Sequence, residues 1–336
     1  MDFNTEKIKK KLVGHRRLFW AMVGLSSFLF FVLCSLFFFI NSLPGKLAMI
    51  YLNQPTTNLA NTNGWTNIVV LGLGGEGNQV KDLTDTIIFV SLSHTGGETL
   101  MLSLPRDLWL ESMKAKINTA YHYGGIEMVK SSLQEVLGQE IHDVFLVDFD
   151  GFREVIDLLG GLEINIENSF EDNWFPIPGK ENDPCGGDPE YKCRYEQVQF
   201  KAGWQTLNGE MALKYVRSRN AEGDEGTDFA RAKRQQNLIL AFKNNLLTTK
   251  VLFDVKKLQS LWRIIQKSFT TDIQLEEYPL WAKLMLQFER EKINNQVLNG
   301  EQGLLYHPQI HYSGQWVIIP RDPSWKAVHE FVEGLI

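Results

Sequence analysis

The chain has 336 residues, 44% hydrophobic and 22% charged, a balance that buries a core and excludes both disorder and fibrous repetition. A formal charge of −6 argues against a general nucleic-acid binder, because that role needs a basic surface. The sum conceals an asymmetry: residues 1–17 carry Lys7, Lys9, Lys10, Lys11, Arg16 and Arg17 against Asp2 and Glu6, a net of +4, which leaves −10 for the remainder.

The basic segment 1–17 is followed by 28 residues, Leu18 to Gly45, without Asp, Glu, Lys or Arg. A bilayer-spanning helix needs about 20 apolar residues. The run outlasts a signal-peptide core and no A-x-A site follows it, so an uncleaved anchor over 18–43 is expected. Leu33 before Cys34 speaks against a lipoprotein site. The flanking charge places the N-terminus in the cytoplasm and everything after Pro44 outside, making a single-pass cell-membrane protein. Residues 44–65, polar from Gln54 onward, are expected to be a linker, with the extracytoplasmic domain occupying 66–336.

Within that domain the patterns alternate. Strands are predicted at 67–71, 86–92, 99–104, 144–149 and 162–167, and helices at 125–138 and 151–161, the latter ended by glycines. Residues 168–203 hold Pro176, Pro178, Pro184 and Pro189 among glycines and acids and are expected to be an inserted loop. Cys185 and Cys193 lie inside it. As the two cysteines of an exported segment, they are best explained as a disulfide stapling that loop. Helices are predicted again at 207–217, with Asn208 as N-cap, at 228–247, 254–268, 275–290 and 323–335, with a strand at 315–320. Strands and helices in alternation predict an α/β sandwich with helices on both faces.

Gly72, Gly74 and Gly77 form a literal G-x-G-x-x-G, but a strand follows where a dinucleotide site needs a helix, so a flexible anion-presenting loop fits better. His307 and His311 have helical metal-site spacing, which Pro308 disfavours. No H-E-x-x-H or G-x-S-x-G motif occurs. Trp109, Tyr121, Tyr123 and Phe149 are expected to be core.

A set of charges recurs at the ends of regular elements: Asp85 opening a strand, Arg106 and Asp107 closing one, then Arg217, Arg219, Asp228, Arg231 and Arg234. With Gln235, the last three are expected to form one stripe along a helix. Guanidinium forks bind phosphate oxygens bidentately and stay charged. Asp85 and Asp228 are hard oxygen ligands suited to a magnesium ion shared with substrate phosphates.

The ordered blocks NIVVLG, LTDTIIFVSL, LSLPRD, KINTAYHYGG, VDFDGFREVIDLLGGLEI, LNGEMALKYVRSR and DFARAKRQQ, spanning 66–245, resemble the LytR-CpsA-Psr family of membrane-anchored cell-wall glycopolymer transferases. That resemblance implies a three-layer α/β/α sandwich with a central mixed sheet. It also implies a polyprenyl-pyrophosphate-linked glycan as donor, peptidoglycan as acceptor and Mg2+ as cofactor. Residue by residue it makes Asp85 the metal-linked aspartate, and Arg106, Arg217, Arg219, Arg231 and Gln235 the pyrophosphate grip, to which Arg234 is added from the same helix stripe. Arg106, Asp107 and Asp228 are then the catalytic candidates. Two positions depart from the family pattern, Gly74 where an Asp is common and Leu83 where an Arg is common. Glu76, in the same glycine loop, is the expected replacement metal ligand. A non-catalytic pyrophosphate-binding regulator and a pyrophosphate hydrolase are the alternative readings.

Overall fold

The computed structural model describes residues 43–74, 82–246, 254–287 and 292–336. The anchor expected at 18–43 therefore lies almost entirely outside the described residues. Among those described, no helix is long and apolar enough to cross a membrane.

The chain divides into two compact units. One comprises Met1–Asn58 with Gln274–Lys283. In it, helix α1 (Leu43–Asn53) offers two carbonyls near its end to a single ammonium, Lys283 Nζ donating to Tyr51 O at 3.4 Å and Gln54 O at 3.1 Å. The other unit, Leu59–Ile273 with Leu284–Ile336, starts seven residues earlier than the expected boundary at 66. Leu59 is buried, and Thr66 Oγ1 donates to Ala60 O, so this end of the expected linker is folded. An apolar anchor at Leu59 outweighs the polar residues around it.

The larger unit is built on a mixed six-stranded sheet. Its strands are β1 (Trp65–Leu73), β2 (Thr84–Ser93), β3 (Thr99–Ser103), β6 (Asp143–Asp148), β11 (Phe269–Thr271) and β12 (Ile293–Val297), in the order β11-β6-β1-β2-β3-β12. Short strands β4 (Trp109–Leu110) and β5 (Ala115–Lys116) pair beside it. β1 runs parallel to β6 and antiparallel to β2, which is antiparallel to β3. The chain that leaves β1 at Leu73 re-enters the sheet at Thr84 as its antiparallel neighbour β2, and residues 75–81, which include Gly75 and Gly77 of the G-x-G-x-x-G, lie outside the described residues.

Alternation decides what each face meets. Val69, Leu71, Ile87, Phe89, Leu100, Leu102, Val144 and Leu146 point into one core, closed by Val129, Leu133 and Val136 of α2 (Ala120–Leu137) and by Val328 and Val332 of the last helix (Lys326–Glu333). α2 begins five residues before the predicted start and is interrupted by non-helical Gly124 and Gly125.

A second core gathers α3 (Phe149–Leu159), β7 (Leu162–Ile166), β8 (Phe170–Pro176), β9 (Tyr195–Phe200), β10 (Gly203–Leu207), α4 (Gly209–Arg217), α5 (Asp228–Leu246) and α6 (Val255–Ser268). The stretch 168–203 is therefore no simple loop: β8 and β9 pair as an antiparallel ribbon whose tip carries the Cys185–Cys193 disulfide. Its prolines concealed buried Phe170, Phe175, Val198 and Phe200, which supply the apolar side of that ribbon. α4 is placed by close contact. Gly209 lies where a Cβ would stand 2.4 Å from Arg153 O of α3, so only glycine lets the two backbones approach. Asn208 caps α4, accepting from Met211 N at 2.9 Å. A further helix, α7 (Tyr278–Leu286), precedes the hairpin strands β13 (Leu305–Tyr306) and β14 (Ile319–Pro320), and Lys326–Glu333 is α8. The predicted strand at 315–320 is thus reduced to its last two residues.

Candidate functional site

Strand register brings the first two charges together. Ile88 opposes Ser103, and Leu104 N donates to Ile87 O, so Asp85 before the one and Arg106 beyond the other leave the sheet at the same end. Arg106 Nη1 donates to Asp85 Oδ1 at 2.5 Å. On its other side Arg106 Nε lies 3.5 Å from Asp107 Oδ2, and Lys116 Nζ donates to Asp107 Oδ1 at 2.7 Å. Burial alone would lower the pKa of Arg106, but the carboxylates of Asp85 and Asp107 more than reverse that, holding the guanidinium charged.

Arg217 ends α4 and stands over the ring of Phe149 at 4.8 Å, with Phe175 at 6.0 Å. Its pKa is pushed down, chiefly by burial; Asp85 opposes the shift, whereas Arg219 and Arg106 add to it. These three arginines feel one another's charge, an arrangement that an incoming anion would relieve. Phe149, expected to be core, is both buried and the platform for this guanidinium.

The segment after α4 is held by Asp172, a residue whose type and position gave no sequence signal because it sits in the expected loop. Asp172 is fully buried and accepts from Ser218 Oγ at 2.6 Å, Arg219 N at 3.2 Å and Asn220 N at 3.2 Å, while Trp174 N donates to its other oxygen at 3.0 Å. It sets the path of the chain that presents Arg219.

α5 splits the expected stripe. Arg231 and Gln235, four residues apart, line the same cleft as Arg106 and Arg217. Arg234 does not: at about 100° per residue it is rotated a full step from Gln235. It is 3% exposed, and its guanidinium donates to Tyr215 O, Ser218 O and Glu225 O and pairs with Glu225 Oε2 at 2.8 Å. Arg234 therefore ties α4 to α5 and lies outside the cleft. Asp228 begins α5, and its side chain lies outside the described part of the structure.

The cleft has a volume of about 460 Å³. Asp85, Arg106, Asp107, Arg217, Arg219, Arg231 and Gln235 line it, and Ile87, Leu104, Phe149 and Val216 add apolar wall. Trp316 and Ile318 reach it from the C-terminal part of the chain, beyond the blocks that carry the resemblance. His307 and His311 form no metal pair: His307 Nδ1 meets Val317 O at 2.8 Å and His311 Nδ1 meets Ser313 Oγ at 2.7 Å.

Glu76 falls outside the described residues. The two departures from the family pattern prove to be neighbours, Gly74 N donating to Leu83 O at 3.4 Å. The acid and base common at these positions are thus replaced together by uncharged residues. Among the described residues, the grouping of three potential metal ligands is Asp183, Cys185 and Cys193, whose sulfurs are joined in the disulfide. Magnesium needs fewer protein ligands than that: one or two carboxylates, with water and substrate phosphates completing the shell. Asp85, part-exposed in the cleft, fits that limited role.

The sequence profile of the LytR_cpsA_psr family matches residues 46–330, and the chain belongs to this family. Among curated relatives, TagV of Bacillus subtilis strain 168, named a polyisoprenyl-teichoic acid–peptidoglycan teichoic acid transferase, is 27% identical over 238 residues, 69% of this chain and 56% of its own length. The regulatory protein MsrR of Staphylococcus aureus strain COL is 30% identical over 217 residues, 63% of this chain and 57% of its own. The chain spans little more than half the length of these relatives. Among solved structures, that of B. subtilis TagV superposes with a TM-score of 0.56 at 23% identity, covering 82% of this chain and 98% of the other. TagT bound to LI-WTA superposes at 0.53 with 19% identity, covering 81% and 91%. The shared fold is mixed α/β with a central mixed sheet.

Proposed function

We propose that this chain is a membrane-anchored phosphotransferase that moves a glycopolymer from a polyprenyl-diphosphate carrier to a hydroxyl of peptidoglycan and releases polyprenyl phosphate. One observation carries the reading: four arginines and a glutamine from three separate parts of the sequence line a single cleft in an acidic chain. A diphosphate needs several cationic forks at once, and mutual repulsion among Arg106, Arg217 and Arg219 is lifted when it arrives. The apolar wall suits the first units of a lipid. The transferase names of TagV and TagU relatives supply the acceptor. The uncharged stretch from Leu18 is assigned as the anchor, with the cleft-bearing unit outside the cell membrane.

The hydroxyl oxygen bonds to the sugar-side phosphorus as the bond from that phosphorus to the bridging oxygen breaks, and the electron pair leaves with the lipid phosphate. Arg106, Arg217, Arg219 and Arg231 hold the charge that accumulates on the departing oxygens, and Gln235 orients the diphosphate. Asp85 keeps Arg106 in place and would be the residue that holds magnesium. Bound there with the substrate, magnesium would neutralise phosphate charge. Asp107 is engaged by Arg106 and Lys116, which suits it to clamping the arginine rather than to removing the hydroxyl proton. Asp228 is the candidate base.

A second reading, a diphosphate-binding regulator, is favoured by the loss of charge at both Gly74 and Leu83. Incubating the full chain in detergent and magnesium with a polyprenyl-diphosphate glycan, with and without peptidoglycan, separates the outcomes. Lipid phosphate released only with the acceptor supports transfer. Release into water alone indicates a hydrolase, and saturable binding without release a regulator; either overturns the transferase reading.

A further inference from the structure

Trp316 has no role in the phosphate chemistry, yet it lines the arginine cleft with 54% of its surface exposed. An indole left half in water carries an unfavourable apolar area, at about 25 cal/mol for each Å². This one is also stacked on a neighbouring ring. The ring of His307 stacks on it with centroids 4.8 Å apart and planes 27° from parallel. His307 is in turn fixed through Nδ1 to the carbonyl of Val317, a fully buried residue. Next along the chain, Ile318 N donates to Asp107 O at 2.9 Å and Trp109 N donates to Ile318 O at 2.8 Å. The backbone two residues from Trp316 is thus pinned to the residue beside Arg106.

The result is an aromatic face placed, through the backbone of Ile318, beside the cationic grip. A pyranose ring offers the complementary surface: an apolar face of C–H groups for stacking, and hydroxyls at its edge for the indole Nε1–H. A sugar esterified to a diphosphate has to lie next to the arginines that hold the phosphates, and Trp316 shares their cleft. We infer that Trp316, braced by His307, is the platform for the sugar attached to the donor diphosphate, and so a specificity-determining residue. The inference rests on the donor class proposed above. It assigns a role to the C-terminal segment, which the arginine motifs leave without one.

Two probes separate the terms: polyprenyl diphosphate bearing N-acetylglucosamine, and the same lipid diphosphate without sugar, each titrated against the full chain in detergent. Trp316→Ala should weaken binding of the sugar-bearing lipid roughly tenfold more than binding of the bare lipid, and Trp316→Phe should recover most of the difference. Equal losses for both lipids, no loss, or no recovery by Phe would overturn the platform while leaving the donor class intact. A loss confined to a soluble peptidoglycan fragment would reassign Trp316 to the acceptor and overturn it too. If the unaltered chain binds neither lipid, the donor class itself fails, and the platform with it.

Discussion

Asp85 and Arg106 form a contact of 2.5 Å across the end of the β2–β3 pair, and both face the cleft where the other arginines converge. The carboxylate aims the guanidinium and keeps it protonated. Replacing Arg106 with Ala is expected to lower transfer by roughly 10²–10³-fold, the cost of deleting one well-placed charge-stabilising donor. Circular dichroism should show an unchanged fold. Transfer at the normal rate by this variant would remove Arg106 from the site.

Arg231 and Arg234 are three residues apart on one helix and should behave oppositely. Arg231→Ala is expected to reduce turnover with little change in Tm. Arg234→Ala strips donors from three buried or part-buried carbonyls and leaves Glu225 without its cation, which should cost about 3 kcal/mol of stability. Denaturant titration of both variants checks this, and an Arg234→Ala protein as stable as the parent would contradict the assignment.

Asp172→Ala leaves Ser218, the amides of Arg219 and Asn220 and the amide of Trp174 without their acceptor. A loss of about 3 kcal/mol is expected, with binding of a lipid diphosphate weakened because Arg219 loses its support. Affinity unchanged at a temperature where the variant is folded would show that Asp172 braces the fold alone.

The disulfide closes a short segment, so its removal by Cys185→Ser and Cys193→Ser should lower the free energy of opening that segment by about 2–3 kcal/mol on the loop-entropy account. The effect should be local, because the ribbon beneath it retains Phe170, Phe175, Val198 and Phe200. Hydrogen exchange that rises across 177–194 and nowhere else is the expected readout; protection lost throughout the second core would refute a local role.

Two histidines predict an acid limit. Burial lowers the pKa of His94 and of His142 below the ordinary range near about 6.5, with His142 adding to the effect on His94 and Glu140 opposing it on His142. His142 Nδ1 also accepts from Asn67 N at 2.8 Å, a bond that protonation would break. The native state then binds fewer protons than the unfolded chain, so this contribution is full above about pH 6.5 and is lost as pH falls below it. Melting curves between pH 8 and pH 5 test the sign, and His142→Gln should flatten the slope.

Local patterns were enough to predict the central strands, because buried runs such as Ile68–Leu71 and Ile87–Leu92 have no other stable use. The N-cap at Asn208 and the helix over 228–246 were equally legible, since capping and helical periodicity are short-range properties. The ribbon at 170–200 was hidden by its prolines and glycines, whose turn preferences masked an alternation completed only by pairing between β8 and β9.

Read along the chain alone, arginines, aspartates and one glutamine stand at element ends in family-like blocks, and an acidic chain carries a basic, apolar N-terminal segment. Which of them share a cleft follows from packing. Strand register joined Asp85 to Arg106, helical phase kept Arg231 and Gln235 together and turned Arg234 inward, and Asp172 and Trp316 came from stretches with no motif. Spacing along a chain constrains neighbours within a turn or a strand. Contacts between residues distant in sequence depend on how cores close, and that is a property of the whole packed chain.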